Sequence, residues 1–312
     1  MLRRLLLALL VLQAALVLAL AGALWRLAGW APAAALLASL AALLLVRMLI
    51  TANHFCLGWR HGSATPPEWR LSLAQSLRMY ARECWATLTH SSWTMARARA
   101  HQRLHPGSPT LPVLLLHGYG CNSGYWARLE RRLNGLGISY ATLDMEPITG
   151  GIDEFVPAVR ARLAALCQAC GTDSAVIVAH SMGGLVARAL LRAHGGAHVA
   201  RVVTVGTPHH GTRLAGAGPG RNALQMRRAS AWLAALHEQE GQGTRALITS
   251  IYSHHDNIVT PQSSAHLAGA TNIAFGAVGH VALGDDERIL DTIIDVIEHS
   301  ADGGPAGARA PG

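Results

Sequence analysis

Two apolar runs at the start of the chain restrict what it can become more than any other feature. "LLLALLVLQAALVLALAGALW" (Leu5–Trp25) carries Gln13 as its only polar side chain, and "LAGWAPAAALLASLAALLLV" (Leu27–Val46) has no charge. As a helix, each is long enough to cross roughly 30 Å of hydrocarbon. Arg26, Gly29 and Pro32 lie between them beside Trp25 and Trp30, a short turn with aromatic residues suited to the headgroup level. Residues 1–52 therefore read as a transmembrane helical hairpin. A cleavable signal peptide competes for the first run, with Arg3 and Arg4 as its basic region, but the stretch is long for that and a second one follows at once. Two packed core helices are the soluble alternative, and globular cores rarely need two uncharged runs of this length.

Arginine placement gives the hairpin a direction. Arg3 and Arg4 precede the first run, Arg26 alone separates the two, and Arg47 and Arg60 open a basic stretch after the second. The positive-inside bias puts both ends, and all that follows, on the cytoplasmic side of a bacterial inner membrane. Cys56, Cys84, Cys121, Cys167 and Cys170 are too few and too odd for a secreted disulfide framework, which agrees with a reducing compartment. "CQAC" (Cys167–Cys170) has no second ligand pair and reads as helix packing rather than a metal site. The formal charge of +8 is carried without a single Lys, which genome composition explains better than nucleic-acid binding does. No nucleic-acid partner is expected.

Residues 53–109 read as an Arg-rich amphipathic connector. A helix is expected from the proline pair of "PPEWRLSLAQSLRMYARECWATLTH", with Leu71, Leu73, Leu77, Met79 and Trp85 on its apolar face. Seven arginines from Arg60 to Arg103 face only Glu68 and Glu83, a balance suited either to anionic headgroups or to a solvated connector.

From residue 110 to 300 short apolar runs alternate with helical patterns. Strands are expected at residues 112–116, 138–143, 175–179, 201–205, 247–252 and 272–275, which predicts an α/β domain with a mostly parallel sheet of about six strands. The Gly-, Pro- and Ala-rich end, residues 301–312, reads as disordered.

"AVIVAHSMGG" places Ser181 between an apolar run and a helix-forming one. That is the strand-turn-helix setting of a nucleophile elbow, in which a serine is held on a sharp bend with its hydroxyl above the sheet. Small residues flank it at Ala179 and Gly183, so the pattern is A-x-S-x-G rather than G-x-S-x-G. An ordinary helix cap is the plainer reading of the same serine. A second motif, "LLLHGYG", puts His117, Gly118, Tyr119 and Gly120 directly after the first strand of this domain. The main-chain amides of Tyr119 and Met182 are the expected oxyanion-hole donors, with His117 shaping the loop rather than acting as a base.

Taken together, "HGYG", "AHSMGG", "GTPHHGT" and "HDNIV" with a later "GH" resemble the α/β-hydrolase family, and within it the compact bacterial triacylglycerol lipases and esterases. The resemblance covers residues 110–300 and leaves out the hairpin. It implies the chain order nucleophile, acid, base. Asp256, in the loop after the 247–252 strand, is the acid that this order selects; Asp144 precedes the serine, and Glu238 and Glu240 follow no strand. His280, after the last strand and before the apolar pattern of Ile289, Leu290, Ile293, Ile294 and Ile297, is the expected base. His254 and His255 lie too near the acid in sequence, and His209 and His210 are expected at the mouth of the site.

The implied chemistry is that of a membrane-anchored serine hydrolase acting on carboxylic esters, a lipase or esterase working through an acyl-enzyme with a lipid or other ester as partner. It needs no cofactor and no metal. A lysophospholipase, thioesterase or amidase on the same scaffold is the alternative, and a non-catalytic membrane scaffold is a third. Residues 206–244 are longer than a usual connection and should cover the site. Leu214, Leu224, Met226, Trp232 and Leu233 are the expected substrate-binding residues there, as an acyl-binding surface or lid.

Overall fold

In the computed structural model, which describes residues 1–300, the two apolar runs form the long helices α1 (Leu2–Ala28) and α2 (Pro32–His61), paired antiparallel. The tail expected at 301–312 lies outside the described residues. Gly29 ends α1 in the left-handed region, at φ 72°, and Pro32 opens α2 at a position where a missing N–H costs nothing. α2 runs on past residue 52, and its last turns lie against the body of the protein. A Cβ on Gly58 would sit 3.2 Å from Asn257 Cα, and one on Gly62 2.8 Å from Gln262 Oε1. Midway along the pair, the Arg47 guanidinium donates to Gln13 Oε1 at 2.6 Å and to the hydroxyls of Ser91 and Ser92 at 3.2 and 3.0 Å.

The connector helix α3 (Leu73–Thr89) starts later than the proline pair suggests. Pro67–Trp69 makes only a 3₁₀ turn, whereas Ser72 and Gln75 close a capping box that fixes the helix start. The helix continues into a π-helical turn at His90–Thr94. Met79, Glu83 and Ala86 face inward, while Leu73, Leu77 and Trp85 are exposed. The inward face is therefore not the apolar one expected, because a carboxylate sits in its middle.

Seven strands follow: β1 (Gln102–Arg103), β2 (Val113–Leu116), β3 (Tyr140–Leu143), β4 (Ala175–His180), β5 (Val199–Val205), β6 (Ile248–Ser253) and β7 (Thr271–Phe275). Their order is β1-β3-β2-β4-β5-β6-β7, parallel throughout except for β1. The six expected strands are all present. The two-residue β1 is an exposed edge too short for any period to announce it. Strand side chains alternate between two cores. Leu114, Leu116, Ile177 and Ala179 pack with α5 (Ile152–Cys170) and α6 (Met182–His194). Val113, Leu115, Val176 and Val178 pack with α4 (Ala127–Gly135) and the terminal helix α8 (Glu287–His299). Helix α7 (Ala231–Gln239) belongs to the long segment between β5 and β6. Coverage on both faces is why the central strands carry apolar side chains at nearly every position.

Candidate active site

The carboxyl ends of β4, β6 and β7 and the loops beyond them bring Ser181, Asp256 and His280 together. Ser181 follows β4 with φ 53° and ψ −122°, a strained conformation for a residue with a Cβ. Its surroundings leave no room for larger neighbours. A Cβ on Gly183 would lie 2.7 Å from the His117 carbonyl oxygen, and one on Gly184 would collide with Thr207. The bend lifts the Ser181 hydroxyl toward His280, whose Nε2 lies 3.1 Å from Oγ. On the other side of the ring, His280 Nδ1 lies 2.7 Å from Asp256 Oδ2.

Asp256 is itself fixed. Its Oδ1 accepts the backbone N–H groups of Ile258 and Val259, each at 2.8 Å. Asn257 Oδ1 accepts the His280 N–H at 2.8 Å. Burial works against a charged His280, but the adjoining Asp256 carboxylate and the nearby Glu83 outweigh it and hold its pKa above the ordinary imidazole value. With Nδ1–H donating to Asp256, Nε2 is free to accept the serine proton.

Gly118 passes close to the serine, since a Cβ there would lie 2.9 Å from both Ser181 Cβ and His180 Nδ1. This brings the loop carrying Tyr119 beside the start of α6, where Met182 supplies one of the helix's unpaired N–H groups. His117 points away. Its Nδ1 donates to the Gly118 carbonyl and its Nε2 accepts the Met145 N–H, both at 2.9 Å, and burial lowers its pKa, so it is a neutral loop-shaping residue. Asp144 accepts the Ser123 N–H at 2.8 Å and braces the same loop.

Of the expected substrate-binding residues, Leu214 and Met226 line a cavity of about 330 Å³ with Ser181, His280 and Tyr119. The other three are placed elsewhere. Leu224 is exposed, Leu233 is buried in the core beside α5 and α6, and the Trp232 indole donates to Asp153 Oδ2 at 2.6 Å. Helix α7 packs onto the body through Leu233 and Leu236, and none of its residues lines the cavity. His209 and His210 are not at the mouth. His209 is buried against Thr204 and Arg188, and His210 reaches the His266 carbonyl.

Two residues that the sequence does not mark as belonging to the site are also there. Glu83 of α3 is 1% exposed, and its two carboxylate oxygens accept the N–H groups of Val281 and Ala282 at 3.0 and 2.9 Å, immediately after His280. Burial pushes its carboxyl pKa up, against the pull of those two donors. The signal is a lone acid among Met79 and Ala86 on the inward face. The second is His54 of α2, which lines the cavity with Ser181 although it comes from the hairpin. A histidine just past an uncharged run is its mark in the sequence.

A family model described as alpha/beta hydrolase fold matches residues 112–238. No curated protein matches the sequence. Among solved structures, the mature form of lipase BlEst2 from Bacillus licheniformis is similar at 19% identity and a TM-score of 0.55, over 64% of this chain and 97% of that one. Its propeptide form gives 19% and 0.57, over 68% and 55%. Aspergillus fumigatus lipase B gives 18% and 0.55, over 66% and 56%. The chain thus spans little more than half the length of the last two.

Proposed function

We propose that this chain, which has the α/β-hydrolase fold, is a membrane-anchored serine hydrolase of carboxylic esters. The observation that carries this is the unbroken line from Ser181 Oγ to His280 Nε2 at 3.1 Å and from His280 Nδ1 to Asp256 Oδ2 at 2.7 Å. In the proposed reaction Ser181 Oγ attacks the ester carbonyl carbon while His280 Nε2 takes its proton. The Tyr119 and Met182 amides hold the oxyanion, and His280 returns the proton to the departing alkoxide. Water then attacks the acyl-enzyme by the same route and releases the acid. Asp256 keeps the imidazole in the right tautomer and stabilises the imidazolium without taking its proton.

The membrane part of the proposal rests on α1 and α2. Their most apolar windows have mean hydropathies of 2.6 and 2.4, and Leu12, Leu16, Leu18, Leu37 and Leu45 are exposed along them. An apolar surface of that extent is stable only in lipid or against another protein. Contacts of α1 with the body, such as Arg3 Nε to the Ala96 carbonyl at 3.1 Å, favour its retention over cleavage as a signal. With the arginine bias described above, the catalytic part faces the cytoplasm at a bacterial inner membrane.

A fluorophosphonate probe on the purified full chain, followed by hydrolysis of carboxylic esters, phospholipids, thioesters and amides, tests the reading. Labelling at Ser181 with turnover confined to esters supports it. A folded chain that takes no label overturns it, and preferred turnover of thioesters or amides replaces the ester assignment.

A further inference from the structure

The cavity above Ser181 does not end within the α/β domain. His54, Ile258 and Val281 form part of its wall and also part of the wall of a second cavity of about 280 Å³. That second space lies along the hairpin, where Leu6, Leu9 and Leu10 of α1 and Ile50 of α2 supply its apolar side. Leu9 and Ile50 are exposed, so this side opens outward at the flank of the two helices. Two cavities therefore adjoin, one along the hairpin and one beside the serine, with His54, Ile258 and Val281 between them.

We propose that the two cavities join into one groove, an acyl-chain site built by the hairpin, and that it takes the hydrocarbon chain of a bilayer-resident lipid ester while the ester carbonyl lies at Ser181. The proposal rests on the serine-hydrolase reading above. The occupant follows from what the groove joins: one end meets an ester-cleaving centre and the other is walled by the helices that face lipid. A soluble acyl ester would need no such wall, because the cavity next to Ser181 is already lined by Leu214 and Met226. The hairpin then contributes binding as well as attachment, and burial of a long chain along it stabilises the complex in proportion to the apolar area covered.

The test uses the full chain in phosphatidylcholine nanodiscs, with ethyl and hexadecyl fluorophosphonate probes and the rate of Ser181 modification as readout. Ile50→Trp and Leu10→Trp each narrow the groove from a different helix, and circular dichroism checks that each variant folds. The expected result is a fall of at least tenfold in the hexadecyl-to-ethyl rate ratio in both. Val11→Trp, one residue away on the exposed side of α1, should leave that ratio as it is. An unchanged ratio in both groove variants, or an equal fall in Val11→Trp, overturns the acyl site alone. Failure of the ethyl probe to label the wild type overturns the hydrolase reading, and the acyl site with it.

Discussion

Glu83 Oε1 accepts the backbone N–H of Val281 at 3.0 Å, which ties the connector helix to the residue that directly follows His280. With Ala282 held by the other oxygen, the turn bearing the proposed base hangs from a buried carboxylate nearly two hundred residues earlier in the chain. Glu83→Ala leaves two N–H groups without partners and should cost about 1–3 kcal/mol for each that stays buried. It should also lower kcat more than it raises KM, and move the acidic limb of the pH profile to lower pH as a charge that raises the His280 pKa is lost. Urea melts with pH-rate profiles check both parts. A loss of stability without movement of the limb would mean that Glu83 is structural only.

Ser181→Ala and His280→Ala should each remove about 10⁴-fold or more of ester turnover, because the three residues act as one unit. Asp256→Asn should be milder but still severe. Initial rates on a short-chain ester, with thermal melts to verify folding, measure this. Near-normal turnover in His280→Ala would end the assignment of the base.

The pH dependence has a definite sign. A His280 pKa held above the ordinary value means that the imidazole is already protonated, and unable to accept the serine proton, at pH values where a free imidazole would still be neutral. Activity should therefore fall as pH drops through that raised value. In Asp256→Asn burial is left without its main opponent, so the limb of the residual activity should shift to lower pH. A shift to higher pH would contradict the arrangement.

Gly58 lets α2 approach the acid loop, since its missing side chain would face Asn257 Cα at 3.2 Å and the Asp256 carbonyl oxygen at 3.6 Å. Gly58→Leu should displace that loop at a typical overpacking cost of about 1–3 kcal/mol. Turnover should drop while the chain stays in the membrane fraction. Fractionation and ester assays on the same preparation separate these effects, and full activity in the variant would show that the contact is dispensable.

Leu214→Trp should fill part of the cavity beside Ser181 and cut kcat/KM for bulky acyl groups about tenfold relative to acetyl, a size typical of one added or lost apolar contact. Trp232→Ser should not change that ratio, because the indole points to Asp153 rather than to the cavity. A panel of acyl chain lengths decides between the two.

The sheet is legible in the sequence because its central strands are buried on both faces and so appear as unbroken apolar runs, each closed by turn residues. Ser181 is legible for a related reason. Only small residues fit around the bend, and they interrupt the pattern visibly at Ala179, Gly183 and Gly184. What periodicity cannot reveal is which face of a helix meets a distant loop. Glu83 and His54 reach the site across packing contacts with residues far along the chain. The inward turn of Leu233 likewise depends on how α7 settles on a core whose partners are remote in sequence.

If the hairpin spans a bilayer as proposed, the rung formed by Arg47 and Gln13 sets how deep the molecule rides. Beyond Gln13, α1 advances only roughly 22 Å at 1.5 Å per residue before it ends at Ala28, against about 30 Å of hydrocarbon to be crossed. For the hairpin tip to reach the far surface, the rung must sink about 8 Å into the near side. Ser91 and Ser92, which hydrogen-bond to Arg47, must sink with it. On that proposal the hydrolase would sit partly sunk at its Ser91–Ser92 edge rather than ride on a tether, and its draught would depend on the thickness of the bilayer that carries it. Thinner membranes would then let the mouth rise toward water and thicker ones pull it under, so lipid chain length would become a control on access to Ser181 as well as a property of the proposed substrate.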